Sequence, residues 1–163
     1  MENIGKNSQR KALIVSTVAS TIDQFCSNDI AILQKKYRVY VAANFSSGNN
    51  TTNRRIEEFK LELEARNITF IEISFNRKPF MKQNFYAFKK IKELINSIDF
   101  DIIHCHTPVA SVITRIAARN YKNITVIYTG HGFHFFNGAP IVNWLVYYPI
   151  ERLCAKFTDK LIT

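Results

Sequence analysis

Apolar residues in this chain gather into two alternating kinds of segment. Short β-branched runs recur as KALIVSTV (11–18), YRVYVAA (37–43), ITFIEIS (68–74), DIIHCH (101–106) and ITVIYT (124–129), with a weaker DKLIT (159–163) at the end. Between them lie longer segments with apolar residues at helical spacing, over roughly 22–36, 53–66, 83–97, 108–120 and 141–156. Strand and helix in strict alternation predict a parallel sheet covered on both faces. The runs are nearly all apolar rather than alternating, as strands buried on two sides must be. The expected fold is α/β, a Rossmann-like doubly wound parallel sheet of about six strands over residues 11–163, preceded by a polar tail, 1–10. In CHTPVAS, Thr107 as N-cap and Pro108 in the first turn predict a helix directly after the fourth strand. The segment NFSSGNNTTN (44–53) reads as a polar loop that ends in a helix start.

Sheets of this kind bind ligands beyond the carboxyl ends of their strands, where the strand order reverses. With the common order 3-2-1-4-5-6, three strand-tips meet there: Ser16–Thr21, His106–Pro108 and Thr129–Gly138. The first of these is VSTVASTIDQF, without a single glycine, and neither GxGxxG nor a P-loop occurs. An ordinary dinucleotide site is thereby excluded, because the phosphates of such ligands approach a glycine turn at a helix N-terminus. No cofactor is expected.

On the fourth strand, His104 and His106 point to one side and Cys105 to the other. His106, nearest the carboxyl end, is expected to face a ligand, and His104 to be a hydrogen-bonded core residue. A zinc site from His104, His106, His131 and Cys105 lacks the usual ligand spacings, so no metal is expected. In TGHGFHFFNG, Gly130 and Gly132 flank His131 and leave its backbone free to turn and its imidazole exposed. Such a histidine can donate to a hydroxyl or phosphate, or exchange a proton. Phe133, Phe135 and Phe136 can stack on a sugar, dip into lipid, or pack beneath the loop.

Composition changes this picture little. With 47% hydrophobic and 21% charged residues the chain is globular. Three cysteines without a CxxC pair argue against a disulfide framework and for a reducing cytoplasm, where the sequons at Asn50, Asn67 and Asn123 carry no meaning. ALIVSTVA is too short to span a bilayer and follows a polar start unlike a signal peptide. Net charge is informative: 22 basic against 13 acidic residues give +9, which suits nucleic acid, an anionic membrane or a phosphorylated ligand.

DIIHCHTP, then VIYTGHGFHFFNGAP, then NWLVYYPIERLCAKFTDKLIT resemble the family-4 retaining glycosyltransferases, in particular the bacterial capsular and exopolysaccharide group. FNRKPFMKQN (75–84) matches the group's segment after the third strand at Arg77, Pro79 and Asn84. The resemblance implies one half of a GT-B enzyme, the N-terminal acceptor-gripping domain. It puts the T-x-H motif on Thr129, Gly130 and His131, with His131 facing the reacting sugar, and the H-x-H-x-P element on His104, His106 and Pro108. Candidate acceptor contacts are Thr17, Arg77, His106, Thr129, Gly130, Gly132 and His134. The first loop departs from the family, with Ala19, Ser20 and Thr21 where glycine or a lysine–histidine pair often stands. The donor-binding E-x7-E region has no counterpart in the chain. The implied partners are a lipid-linked saccharide acceptor and, only through a C-terminal domain or partner chain that is missing here, a nucleotide-sugar donor. Without that half, transfer is not expected.

Residues 77–92 hold six basic and no acidic residues among Phe80, Phe85, Tyr86 and Phe88. Lys78, Phe80, Lys82, Lys89 and Lys90 are therefore candidate contacts with the anionic inner face of the plasma membrane, the place of a peripheral enzyme that meets a lipid-linked acceptor. The same pattern suits an amphipathic helix covering a sheet. Aromatics beside lysine also suit RNA, but no RNP-like motif is present and no nucleic-acid partner is expected. The alternative function is a non-catalytic subunit that binds a glycolipid or a partner glycosyltransferase.

Overall fold

A computed structural model describes residues 9–163, so the polar tail expected over 1–10 lies, but for its last two residues, outside the described residues. The strands are β1 (Lys11–Val18), β2 (Arg38–Asn44), β3 (Thr69–Glu72), β4 (Ile102–His106), β5 (Thr125–Thr129) and β6 (Lys160–Ile162). They form one sheet in the order β3-β2-β1-β4-β5-β6, with every neighbouring pair parallel. Order therefore reverses between β1 and β4, where Ile14 pairs with His104 and Val15 with Cys105.

Strand periodicity divides the core in two. Leu13, Val15, Ile103 and Tyr128 face one side, covered by Ala87, Ile91 and Ile95 of α4 (Lys82–Ser97) and by Ala110 and Ala117 of α5 (Pro108–Ala118). Ile14, Val39 and Val41 face the other, covered by α1 (Ala19–Phe25), α2 (Ser27–Gln34) and α3 (Asn53–Ala65). The expectation of strands buried throughout holds in the middle of the sheet. It fails at the edge: all three residues of β6 are exposed, because no strand lies beyond it among the described residues. The last helix, α6 (Ile141–Ala155), carries Pro149 in its interior and buries only Cys154 fully.

Two local readings are corrected. The single helix expected over 22–36 starts earlier, at Ala19, and breaks at Cys26 (φ −108°, ψ 10°). Hydrogen bonds from Cys26 N to Ile22 O and from Ile30 N to Cys26 O, each 2.9 Å, carry the chain through the break. Ile22, Cys26 and Ile30 thus all remain on the sheet-facing side. Thr107 stands at the N-cap position of α5, as expected, but its side chain makes no capping bond. The helix starts on Pro108 alone, whose fixed φ and missing N–H suit the first turn. At α3 the loop 44–53 does end in a cap, with the Thr52 hydroxyl accepting from Arg55 N at 3.2 Å.

Asn84, at the start of α4, is buried and organises the turn before it. Its amide donates to the carbonyls of Asn76, Lys78 and Pro79 at 2.9–3.1 Å, and its oxygen accepts from Asn76 N. That turn sets Arg77 beside the strand-tips.

Candidate functional site

The crossing between β1 and β4 is tied shut by Thr107. Its hydroxyl donates to His106 O at 2.6 Å, accepts from Thr17 N at 2.9 Å and lies 2.7 Å from Thr17 Oγ1. To reach them the residue takes φ 62°, ψ 139°, left-handed territory for a side chain with a branched Cβ. Strain of order 1–3 kcal/mol is characteristic of such positions and persists only where surrounding bonds hold it. The hydroxyl lost to the helix is used to fix two strand-tips in register.

The loop after β5 straddles the end of the sheet, which explains its composition. On the α1–α2 side His131 projects, exposed, with its Nε2 3.3 Å from Nδ1 of His106 and its ring 5.7 Å from that of Phe25. On the α5–α6 side Phe133 packs against Tyr128 and Phe135, and Phe135 against Trp144 and Tyr148. Gly130 lies under the Phe133 ring, where a Cβ would come within 3.2 Å of Cζ. Gly132, at φ 131°, makes the turn between the two sides. Phe136 alone of the three phenylalanines is largely exposed. Asn143 of α6 donates to His134 O at 2.9 Å, and Tyr147 meets the His134 ring edge-on.

The expected acceptor contacts and the expected catalytic His131 therefore fall into two groups. Thr17, Arg77 and His134 line one cleft of about 220 Å³ with Val18, Thr21 and Thr107. Arg77, exposed, also donates to Asn50 Oδ1 at 3.1 Å. Thr129, His106 and His131 belong to a second group, a ladder of imidazoles. His104 Nε2 lies 2.8 Å from Thr129 Oγ1, the rings of His104 and His106 are 4.2 Å apart, and His106 reaches His131. Gly130 and Gly132 join the groups through the backbone.

One placement is a correction. His106, expected to face a ligand, is 1% exposed. The last residue of a central strand is still roofed by the helix leaving the neighbouring strand, here by Asp29 and Cys26 at the α1–α2 break. Burial, reinforced by His104 and His131, pushes the His106 imidazole down to about 3, so it is neutral. His104 is lowered by the same desolvation, opposed by Asp29. Its neutral ring is the hydrogen-bonded core residue anticipated for it. Cys105 sits on the opposite face, bonded to Ile127 O, and cannot join the histidines. Phe25, Cys26 and Asp29 escape a reading by strand-tips because they lie on α1, at the break after it and on α2. Only the i, i+3 spacing of Cys26 and Asp29, so soon after β1, hints that both face one spot.

The basic segment is a surface feature. Phe80 is 89% exposed, Phe85 and Tyr86 are exposed, and Lys78, Lys82, Lys89 and Lys90 stand among them. Phe88 turns inward onto the core. Phe80, Arg77 and Pro79 also form one wall of a groove whose other walls are Val109 and Val112 of α5 and Val146 and Ile150 of α6. No helix among the described residues is long and apolar enough to cross a membrane.

A parallel sheet whose strand order reverses between β1 and β4 defines a Rossmann-like domain. The family model for glycosyl transferase 4-like proteins matches residues 18–163, and the chain belongs to that family. It is 47% identical over 93 residues to EpsD of Bacillus subtilis (strain 168), a protein assigned as a glycosyltransferase, covering 56% of this chain and 24% of EpsD. It is 33% identical over 90 residues to the UDP-Gal:alpha-D-GlcNAc-diphosphoundecaprenol alpha-1,3-galactosyltransferase of Escherichia coli, covering 52% of this chain and 23% of that enzyme. The chain thus spans about a quarter of the length of these relatives. Among solved structures, Acinetobacter baumannii MurG superposes with TM-score 0.58 at 10% identity, over 93% of this chain and 40% of MurG. A UDP-N-acetylglucosamine 2-epimerase superposes with TM-score 0.61 at 16% identity, over 94% of this chain and 39% of the other. Likeness at such low identity concerns the fold, the Rossmann-like half of a GT-B architecture.

Proposed function

We propose that this chain is the acceptor-side half of a retaining glycosyltransferase of cell-surface polysaccharide synthesis. Its acceptor is a lipid-linked saccharide, and the nucleotide-sugar donor is held by a second Rossmann-like half. The observation that carries the reading is the pairing of an exposed His131, backed by a neutral His106, with a cleft that gathers Thr17, Arg77 and His134 at the same strand-tips. The Escherichia coli relative is named for a diphosphoundecaprenol-linked acceptor and a UDP-sugar, which supports the two substrate classes. In this reading Arg77 pairs with the acceptor's diphosphate, as a planar guanidinium does with phosphate oxygens. Thr17 and His134 bond sugar hydroxyls, and His131 donates to the reacting sugar. The charge that develops on the departing nucleotide is met by the donor half, commonly the largest electrostatic contribution to such catalysis, so the chain by itself binds without turnover.

The test uses the chain assembled with a donor half, by co-expression and recovery from membranes. His131→Ala is expected to lower sugar transfer at least about tenfold with an unchanged melting temperature, the signature of an interaction made in the transition state. Transfer at the parental rate would reduce His131 to packing. Acceptor binding without turnover in every assembly would favour the non-catalytic subunit.

The exposed face of α4 and the turn before it support membrane contact by Lys78, Phe80, Lys82, Lys89 and Lys90, with aromatic rings at headgroup depth and lysines on anionic lipid. Each lysine near such a surface contributes about 1 kcal/mol. In sedimentation with vesicles containing anionic lipid, Lys82→Glu/Lys89→Glu should release the chain, and raised salt should do the same. Binding that ignores both changes would assign this face to another role.

A further inference from the structure

The break between α1 and α2 places three dissimilar side chains around one point. Cys26 Sγ, a carboxylate oxygen of Asp29 and a ring nitrogen of His106 lie within 4.8 Å of one another. Cys26 is fully buried, while the Asp29 side chain is 34% exposed and opens the spot to solvent. The second observation is independent of this proximity. His106 Nε2 is buried, has no hydrogen-bond partner, and points toward Asp29, whose Oδ2 is 3.8 Å away. That is beyond hydrogen-bonding distance. A buried ring nitrogen left without a partner costs free energy comparable to a lost hydrogen bond. Nothing else among the described residues answers it: His104 Nε2 is engaged by Thr129, and His131 Nε2 meets the other nitrogen of His106.

We propose that Cys26, Asp29 and His106 form a binding site for a divalent cation of the zinc class. Sulfur, nitrogen and oxygen in one set suit a borderline-soft ion, and three protein ligands with a solvent-facing fourth position are a common zinc arrangement. His106 coordinates through the lone pair of Nε2. Its Nδ1–H then donates to His131 Nε2, the outer hydrogen bond that ligating histidines ordinarily make. Binding requires the thiol to give up its proton to solvent as the sulfur–metal bond forms. The ligand atoms must also draw together somewhat, since zinc bonds are about 2.0–2.3 Å long. Asp29 at the exposed start of α2 and Cys26 at the break can make that movement without disturbing the sheet.

The site also has a consequence for the residue in front of it. With Nε2 committed to the ion, the His106–His131 bond has a single sense, and His131 is left with Nδ1–H toward the open crevice, as a donor. The cation site stands independently of any acceptor and is tested without sugar.

The experiment takes the untagged 163-residue chain, stripped with a chelator, and titrates zinc against a chromophoric competitor; cobalt titration then reads the ligands spectroscopically. One zinc per chain is expected, and cobalt should show the intense thiolate charge-transfer band of a sulfur ligand together with tetrahedral d–d bands. Cys26→Ala should abolish the charge-transfer band. Asp29→Asn, at a half-exposed position where folding is undemanding, should weaken zinc at least about tenfold, the usual scale for losing a ligand-shell group. Circular dichroism checks that both variants fold. Failure of the parent chain to take up zinc, or a charge-transfer band that survives Cys26→Ala, would overturn the site. Uptake insensitive to Asp29→Asn would overturn the carboxylate's place in it.

Discussion

Replacing Glu151 by leucine is expected to destabilise the chain by about 3–5 kcal/mol, the range for breaking a buried ion pair from one side. Arg115 of α5 is 1% exposed, and its guanidinium donates to Glu151 Oε2 of α6 at 2.8 Å. It also donates to Ser111 O and Ser111 Oγ, and it lies 4.2 Å from the centre of the Tyr128 ring on β5. Removing the carboxylate leaves a full charge in a place water does not reach. Removing both partners with shape-matched apolar residues does not, so Arg115→Met/Glu151→Leu should recover most of the loss. Urea unfolding of the two single variants and the double gives the coupling energy directly. If the double variant is as unstable as the sum of the singles, the pair is not a unit. The pair matters to the site because α6 carries Asn143, Trp144, Tyr147 and Tyr148, which hold the loop bearing His131. Glu151→Leu should therefore also loosen that loop, read as faster amide exchange over 130–140.

The metal-free chain should lose stability as the solution becomes mildly acidic, well before its carboxylates titrate. His106 is depressed from its ordinary 6.5 to about 3, and His104 is lowered too, mainly by burial. An unfolded chain binds protons at these rings near 6.5, while the folded chain does not. The neutral rings thus contribute stability in full above that value. It is lost as pH falls from about 6.5 towards the folded value near 3. Each ring contributes a slope of at most about 1.4 kcal/mol per pH unit. Between about pH 6.5 and 5 carboxylates change little, so unfolding free energies there isolate the histidines. His106→Gln should flatten the curve in that window. A parent curve already flat there would mean that the ladder accepts a proton in the folded state.

The fold was legible because its signals are local. β-Branched apolar runs and helical spacing repeat in order, and parallel strands buried on two faces write nearly continuous apolar segments. The three converging tips followed from the strand order alone. Departures occurred where a tertiary bond displaced a local preference. Thr107 has every local mark of an N-cap, yet Thr17, 90 positions away in sequence, takes its hydroxyl. The helix after β1 reads as continuous, yet it bends at Cys26 to stay against the sheet.

The amino-acid sequence by itself determined the α/β class, the doubly covered parallel sheet, the absence of a phosphate-binding glycine turn and the likeness to family-4 glycosyltransferases. Each of these is written in residue types and near-neighbour spacing. The tertiary structure alone decided that His106 is roofed rather than open, that Arg77 and His134 share a cleft with Thr17, and that Cys26 and Asp29 close on His106 from another element. Whether a side chain at a strand-tip meets solvent depends on which helix crosses above it. That is fixed by packing between segments some 80 residues apart, a distance over which sequence pattern carries no directional information.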